Sequence, residues 1–262
     1  MSGNRLRARW DAGEVAVGAW CSLGSPFAAE LCAAEGFDYV CADLQHGLMH
    51  FDTLGPMMIA VGRTAAAPVV RVPANQRHYM GMALDAGAEA VIVPMVNSRS
   101  EAEMAVSGCR YPPEGTRSFG PVRAGMFTTG SPAAINRGVL CLVMIETIAA
   151  VEHAGEICST PGVDGVYIGP ADLAVSMGLA PQLGDMGSAH AQAIAHVRAT
   201  CAANGIVAGI HTGGGEQAGD YIDAGFRMVT LSTDAALLRQ VHRTELATAR
   251  GRALSSAAAP SP

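Results

Sequence analysis

Two carboxylates follow two consecutive apolar runs near the middle of the chain, and their oxygen atoms would suit a metal ion. The run at 139–145 ends directly at Glu146, and the run at 163–168 leads into Gly169-Pro170-Ala171-Asp172. Strand, acid, helix, strand, acid is the pattern of a parallel βαβ unit, which places both acids beyond the C-terminal strand ends. Ligands bind at this edge in α/β proteins, and carboxylate oxygens suit Mg²⁺ or Mn²⁺. The same acids could instead cap helix N-termini, so the residues alone leave both interpretations open.

Other polar side chains follow other apolar runs. His46 comes after the second run, three residues beyond Asp43, and Arg71 ends the third run. A single histidine beside a strand is more often structural than catalytic, and an arginine at a strand end often pairs with an acid. Because parallel strands end at one face, these groups converge with the two carboxylates, and that convergence favours a functional site.

The chain contains no lysine, because all 17 cationic side chains are arginine. Arginine cannot form an imine with a carbonyl substrate, which excludes lysine-imine aldolase chemistry and lysine-bound pyridoxal phosphate. A P-loop ATPase is excluded for the same reason. If the protein forms an enolate, a metal ion or hydrogen-bond donors must stabilise it.

Eight strand-like apolar segments alternate with helical segments along the chain. We place the strands at residues 15–23, 39–43, 68–72, 90–96, 139–145, 163–168, 206–210 and 228–232. Eight strands with intervening helices predict a single (β/α)₈ TIM barrel, a fold that commonly needs about 250 residues. We expect one domain over residues 1–254 and a disordered tail over 255–262. The irregular stretch 111–138 is predicted to be a lid or binding loop.

Composition limits the possible partners and the compartment. The net charge of −6 argues against binding to nucleic acid, and no apolar run is long enough to span a membrane. The seven cysteines are scattered without a C-x-x-C pair, and no secretory signal opens the chain. We therefore expect a cytoplasmic protein without disulfides.

Six segments resemble the HpcH/HpaI aldolases, the class II pyruvate aldolases typified by 4-hydroxy-2-oxoheptanedioate aldolase. The segments are GFDYVCADLQHG, VVRVP, LDAGAEAVIVPMV, RYPPEGTRSFG, LVMIET and GVDGVYIGPADLAVSMG. They occur in the family's order, and the resemblance extends over about residues 17–238. It implies a TIM barrel of the phosphoenolpyruvate/pyruvate type and agrees with the absence of lysine.

The resemblance implies specific roles. Glu146 and Asp172 match the two carboxylates that hold a divalent cation, commonly Mg²⁺, Mn²⁺ or Co²⁺, which a 2-oxo acid chelates. Arg71 matches the arginine that steadies the enolate oxygen, and His46 matches the histidine that carries out acid–base work, through a water molecule. The Gly169-Pro170-Ala171-Asp172 segment would bind substrate, with the backbone of Ala171 and Asp172 receiving the keto-acid carboxylate at a helix start.

Two further aspartates and an assembly are implied. Asp43 could orient His46 or a metal-bound water. The aspartate that matches Asp85 is linked to the histidine as a dyad in the family, but here it precedes the fourth strand, at the opposite end of the barrel. We therefore expect Asp85 to assist across a subunit interface. Family members form hexamers, as dimers of trimers, in which the C-terminal helix packs on a neighbour.

Three positions depart from the family pattern. Met144 stands where many members have glutamine, and it should line the pocket because residues two apart in a strand share a face. Gln45 replaces a common glutamate, and His211 precedes three glycines after the seventh strand. These departures predict an altered aldehyde pocket beside an intact 2-oxo-acid pocket.

The sequence leaves two interpretations open for a run of glycines and for two arginines in loops. Gly213 to Gly215 could bind phosphate, although a sharp turn is the more common use of such glycines. Arg117 and Arg123 in the irregular stretch could bind an acidic substrate tail or pair with neighbouring acids.

The leading hypothesis is a divalent-metal aldolase or lyase that makes or breaks a C–C bond between a pyruvate-type enolate and an aldehyde, with 4-hydroxy-2-oxo acids as substrates. The alternative is related enolate chemistry, such as a citrate-synthase-like condensation or decarboxylation of oxaloacetate. A barrel that senses a keto acid without turnover is a third hypothesis, against which the intact set His46, Arg71, Glu146 and Asp172 argues.

Overall fold

The eight strands close into one parallel barrel, in which each strand pairs with its neighbours in sequence order and β8 pairs with β1. The computed structural model describes residues 3–128, 130–181 and 187–257. The strands are β1 (Ala16–Cys21), β2 (Tyr39–Asp43), β3 (Ala67–Arg71), β4 (Ala90–Val93), β5 (Leu140–Ile145), β6 (Gly165–Ile168), β7 (Val207–Thr212) and β8 (Met228–Thr233). The prediction of a (β/α)₈ barrel is confirmed.

Helices surround the barrel. They are α1 (Arg5–Asp11), α2 (Pro26–Ala34), α3 (Phe51–Gly62), α4 (Arg77–Asp85), α5 (Arg99–Cys109), α6 (Pro132–Arg137), α7 (Ile148–Glu152), α8 (Ala154–Cys158), α9 (Pro170–Ser176), α10 (Ser188–Ala203), α11 (Gly215–Asp223) and α12 (Asp234–Ala257). Several begin at a hydroxyl cap; Ser25 accepts from the Ala28 N–H, and Thr147 accepts from the Ala150 N–H.

Two hydrophobic clusters flank the sheet. The outer cluster lies between strands and helices and consists mainly of alanine, valine, leucine and methionine. The inner cluster fills the barrel and includes Trp20, Tyr39, Met144, Tyr167 and Met228. Strands that are buried on both faces read as nearly continuous apolar runs, which is why their positions are visible in the sequence.

Several strand ends differ from the sequence prediction by up to three residues, as at β4, and three differences from it affect the barrel or the site. Helix α1 has no counterpart in it; Asn4 caps this helix, and Leu6 joins the inner cluster, so α1 closes one end of the barrel. The irregular stretch 111–138 contains a 3₁₀ turn at Ala124–Met126 and helix α6. Strand β7 continues to Thr212, two residues beyond the predicted end, so that His211 lies in a strand.

The C-terminal helix α12 continues to Ala257, so residues 255–257 of the predicted tail belong to it, and residues 258–262 lie outside the described residues. Within the described part of the chain, no helix is both long and apolar enough to traverse a lipid bilayer.

Candidate active site

Glu146 lies immediately after β5 with only 2% of its surface exposed. Its Oε1 accepts a hydrogen bond from the Met95 backbone N–H at 2.7 Å, whereas its Oε2 is buried without a hydrogen-bond partner in the described chain. Burial raises the pKa of Glu146 and, together with the nearby charge of Asp172, brings it to about 7 despite the lowering effects of the Met95 N–H and Arg71. A positive partner at this position would therefore stabilise the ionised carboxylate.

Asp172 occupies the first turn of α9, next to Glu146. Helix α9 starts at Gly169-Pro170, with the proline at its first position, where a missing N–H costs nothing. A Cβ on Gly169 would stand 2.6 Å from Oε2 of Glu146, so only glycine allows this close approach of helix start and carboxylate. The buried ring of His190, which sequence reasoning missed, holds the turn through a 2.9 Å bond between Nε2 and the Pro170 carbonyl.

The two acids fit a divalent cation with oxygen ligands. An unpartnered buried carboxylate oxygen beside a second, exposed carboxylate is a hard-donor pair of the kind that binds Mg²⁺ or Mn²⁺. Among the described residues no cluster of three or more histidine, cysteine, aspartate or glutamate side chains is placed to hold a metal. Two protein ligands leave the other coordination positions to water and to substrate oxygens.

Arg71 and Asp43 form a buried bidentate pair at the ends of β3 and β2. Nε of Arg71 donates to Oδ1 of Asp43 at 2.9 Å, and Nη2 donates to Oδ2 at 2.6 Å. Burial works against the Asp43 carboxylate, but the bonds and charge of Arg71 and the Trp20 indole outweigh it and lower the pKa of Asp43. Both groups therefore stay charged.

Trp20, which sequence reasoning did not single out, contacts both members of this pair. Its Nε1 donates to Oδ2 of Asp43 at 3.1 Å, and the guanidinium carbon of Arg71 lies 4.9 Å from the centre of its ring. A tryptophan near the end of β1 was the only sequence signal, and it is equally typical of a barrel core.

His46 is exposed in the turn that follows β2. Oδ1 of Asp43 accepts from the backbone N–H groups of Gln45 and His46, at 3.0 and 3.3 Å, so Asp43 fixes the turn that carries the histidine. A Cβ on Gly47 would lie 2.2 Å from the Asp43 carbonyl oxygen, which keeps this turn tight. Asp43 thus orients His46 through its backbone.

Met144 and His211 both face the barrel interior. Met144 is 2% exposed, and its methyl lies 3.1 Å from the Cβ position of Gly169, so it packs beside the candidate metal site. His211 packs edge-on against Trp20, with ring centroids 5.2 Å apart.

Asp85 lies apart from this group within one chain. It ends α4 and accepts from Nη2 of the buried Arg117 at 2.6 Å, so Arg117 pairs with an acid. Arg123 donates to the carbonyls of Ala86 and Met58. These two arginines serve as structural groups in the described chain.

The triple glycine forms a turn and a helix start. Gly213 donates its N–H to Oε1 of Gln217, and α11 begins at Gly215.

A carboxylate pair, a paired arginine and a histidine thus lie at the C-terminal mouth of a (β/α)₈ barrel, the face that carries the active site in enzymes of this fold. The chain belongs to the HpcH/HpaI aldolase/citrate lyase family, whose model matches residues 16–241. The resemblance of the six segments is therefore confirmed.

Named relatives are similar over nearly their whole length. A hydroxypyruvate/pyruvate aldolase of Rhizorhabdus wittichii is 39% identical over 248 residues, which cover 94% of this chain and 99% of that protein. A 5-keto-4-deoxy-D-glucarate aldolase of Escherichia coli is 35% identical over 240 residues, with coverages of 90% and 93%. The crystal structure of a family member from Burkholderia cenocepacia gives a TM-score of 0.86 at 33% identity, covering 94% of this chain and 98% of that one.

Proposed function

We propose that this protein is a divalent-metal-dependent aldolase, a carbon–carbon lyase that joins or separates a pyruvate-type enolate and an aldehyde. The observation that carries this proposal is the unpartnered, buried Oε2 of Glu146 beside Asp172, with Arg71 and His46 at the same mouth. Family membership and the aldolases among the relatives support it. The donors are pyruvate or hydroxypyruvate, and the products are 4-hydroxy-2-oxo acids.

Glu146 and Asp172 would hold the cation, which we propose to be Mg²⁺, Mn²⁺ or Co²⁺. When bound, it supplies the Lewis acidity that lowers the pKa of the protons next to the substrate carbonyl. The backbone N–H groups of Ala171 and Asp172, in the first turn of α9, would donate hydrogen bonds to the substrate carboxylate.

Arg71 supplies a fixed positive charge for the developing enolate oxygen. Asp43 engages Nε and Nη2, which leaves Nη1 of the guanidinium to donate to substrate. Because Asp43 and Trp20 immobilise the guanidinium before substrate arrives, little reorganisation is needed at the moment of reaction.

His46 moves the proton, through a water molecule, at the carbon that becomes the nucleophile. Its exposed ring sits on a turn that Asp43 fixes, so it can reach a proton at the open mouth.

We further propose a homo-oligomer, a dimer of trimers, in the cytoplasm. Leu237, Leu238, Val241 and Leu246 are exposed on α12, as expected for a helix that packs on a neighbour. Asp85 lines an open groove of about 900 Å³ along α4, where a neighbour could bring its His46 close.

Seven unpaired cysteines support a reducing compartment. We propose that residues 1–254 form one domain, with residues 255–257 continuing its last helix.

The test is a metal-depleted preparation that is assayed with pyruvate or hydroxypyruvate and a panel of aldehydes, before and after addition of Mg²⁺, Mn²⁺ or Co²⁺. We expect turnover only with metal, and loss of both turnover and metal-induced thermal stabilisation in Glu146→Ala and Asp172→Ala. Chelator-resistant activity in the parent would contradict the proposal.

The alternative activity is a citrate-synthase-like condensation or the decarboxylation of oxaloacetate, and the inclusion of citrate lyases in the family description supports keeping it as an alternative. Oxaloacetate alone is therefore assayed beside the aldehyde panel. Faster turnover of oxaloacetate than of every pyruvate–aldehyde pair would favour this alternative.

A further inference from the structure

A chain of hydroxyl groups runs through the barrel interior and ends at His211. Oη of Tyr39 donates to the Val229 carbonyl at 3.0 Å and lies 2.6 Å from Oγ1 of Thr230. Thr230 Oγ1 lies 2.5 Å from Oη of Tyr167, which in turn lies 3.4 Å from Nδ1 of His211. Four side chains from β2, β6, β7 and β8 thus form one continuous hydrogen-bonded path.

The chain has a direction, because each hydroxyl carries one proton and a carbonyl can only accept. Tyr39 gives its proton to the Val229 carbonyl, so it accepts from Thr230. Thr230 then accepts from Tyr167, and Tyr167 accepts from His211. The Nδ1 of His211 therefore carries the proton, and Nε2 keeps a free lone pair.

The environment keeps this imidazole neutral. Burial lowers the pKa of His211 and, together with the positive charge of Arg71, brings it to about 4 despite the opposite effect of Asp43. At neutral pH the ring is consequently an acceptor at Nε2 and not a cation.

The ring is also held in place beside the candidate site. It packs edge-on against Trp20, which bonds to Asp43 and lies beneath the Arg71 guanidinium. Gly209, two residues earlier on the same face of β7, has its Cβ position 3.1 Å from the Tyr167 ring, which leaves room for that ring below the imidazole. In the described chain, Nε2 of His211 has no hydrogen-bond partner, and the side chain is half-buried.

We propose that Nε2 of His211 accepts a hydrogen bond from a substrate hydroxyl adjacent to a carbonyl, and so makes His211 a specificity-determining residue. This proposal rests on the proposed aldolase function. The hydroxyl belongs either to the donor, as in hydroxypyruvate, or to the acceptor, as in glycolaldehyde. Neither pyruvate nor acetaldehyde can make this bond, because both lack the group.

The experiment compares four substrate pairs, in which pyruvate or hydroxypyruvate is combined with acetaldehyde or glycolaldehyde. His211→Asn keeps a donor near Nδ1 and loses the acceptor, whereas His211→Gln keeps an acceptor near Nε2. For each comparison we take the ratio of kcat/KM for the substrate with the hydroxyl to kcat/KM for the substrate without it. We expect His211→Asn to lower this ratio about tenfold. His211→Gln should restore most of the ratio, and the exposed His196→Asn should leave it unchanged.

The comparison in which the ratio falls identifies the hydroxyl. A fall for hydroxypyruvate against pyruvate places the hydroxyl on the donor, and a fall for glycolaldehyde against acetaldehyde places it on the acceptor. An equal loss for all four pairs, or an unchanged ratio in His211→Asn, would overturn the proposal while leaving the aldolase function intact. Absence of turnover for every pair in the parent would instead contradict the aldolase function.

Nitrogen-15 NMR of the imidazole rings tests the same proposal without turnover. The His211 resonances, identified by their loss in His211→Gln, should show a protonated Nδ1 and a bare Nε2. Hydroxypyruvate or glycolaldehyde should shift the Nε2 signal, and pyruvate should not. A protonated Nε2 would overturn the assignment, and Tyr167→Phe should mix the two tautomers.

Discussion

Asp43 holds Arg71 through two hydrogen bonds of 2.9 and 2.6 Å, and both side chains are almost fully buried at the barrel mouth. The pair does more than neutralise charge, since the same carboxylate also accepts from the turn that carries His46 and from Trp20. One aspartate therefore sets the position of the arginine and of the histidine together.

Arg71→Lys should lower kcat by about 10²-fold or more, although the positive charge is retained. A lysine ammonium cannot bond both oxygens of Asp43 and still present a separate donor to substrate, because it lacks the planar fork of the guanidinium. Steady-state kinetics with pyruvate and an aldehyde measure the effect, and thermal unfolding checks the fold. Near-parental rates would remove Arg71 from the mechanism.

Trp20→Phe should weaken catalysis modestly, by about threefold to tenfold in kcat, since it removes one bond that fixes Asp43 but keeps a ring beneath Arg71. The expected loss of stability is about 1 kcal/mol. Kinetics and urea unfolding measure both quantities.

Trp10→Phe is the matched control, because Nε1 of Trp10 donates to the Arg227 carbonyl at 3.1 Å, a bond of the same length away from the candidate site. It should cost similar stability and leave kcat unchanged. Equal kinetic losses in the two variants would show that Trp20 acts only through stability.

Glu146→Gln should stabilise the metal-free protein at alkaline pH. The folded-state pKa of about 7 lies above the ordinary value of 4.5, so the unfolded chain loses this proton first as pH rises. The stability contributed by protonated Glu146 is present below about pH 4 and is lost as pH rises through 7. Gln cannot ionise, so the variant should exceed the parent by roughly 1–3 kcal/mol at about pH 8.

Urea unfolding in chelator at about pH 4 and pH 8 measures this difference, which should vanish at the lower pH. Adding Mn²⁺ should then stabilise the parent at the higher pH but not the variant. The exposed Glu152→Gln on α7 serves as the control and should change neither result. A variant less stable than the parent at alkaline pH would contradict the account of Glu146.

The barrel and the position of its mouth were predictable from sequence because parallel strands are buried on both faces and end in polar residues. That pattern placed Glu146, Arg71 and His46 at strand ends, where the structure has them. Helix α1 was missed because its one buried side chain, Leu6, gives no helical periodicity.

The polar interior was not predictable, because its partners are far apart in sequence. His211 looked like a loop residue, since a polar side chain usually ends an apolar run; the tyrosine and threonine hydroxyls that satisfy it come from other strands. The bond between Trp20 and Asp43 likewise depends on the pairing of β1 with β2 and has no local signature. Asp85 remains a prediction, since its role depends on a second subunit.

Gly169→Ala should weaken metal binding about 10- to 100-fold without unfolding the protein. The new methyl would lie 2.6 Å from Oε2 of Glu146 and 3.1 Å from its Cβ, so the carboxylate must move away from α9 and Asp172. Backbone strain is not the cause, since the φ of Gly169 is −97°, which any residue adopts. Calorimetric titration with Mn²⁺ measures the affinity.

Gly155→Ala in α8, where a Cβ meets nothing within 4 Å, is the matched control and should bind Mn²⁺ like the parent. Parental affinity in Gly169→Ala would mean that the cation does not use the Oε2 side of Glu146, and the carboxylate pair would lose its assigned role.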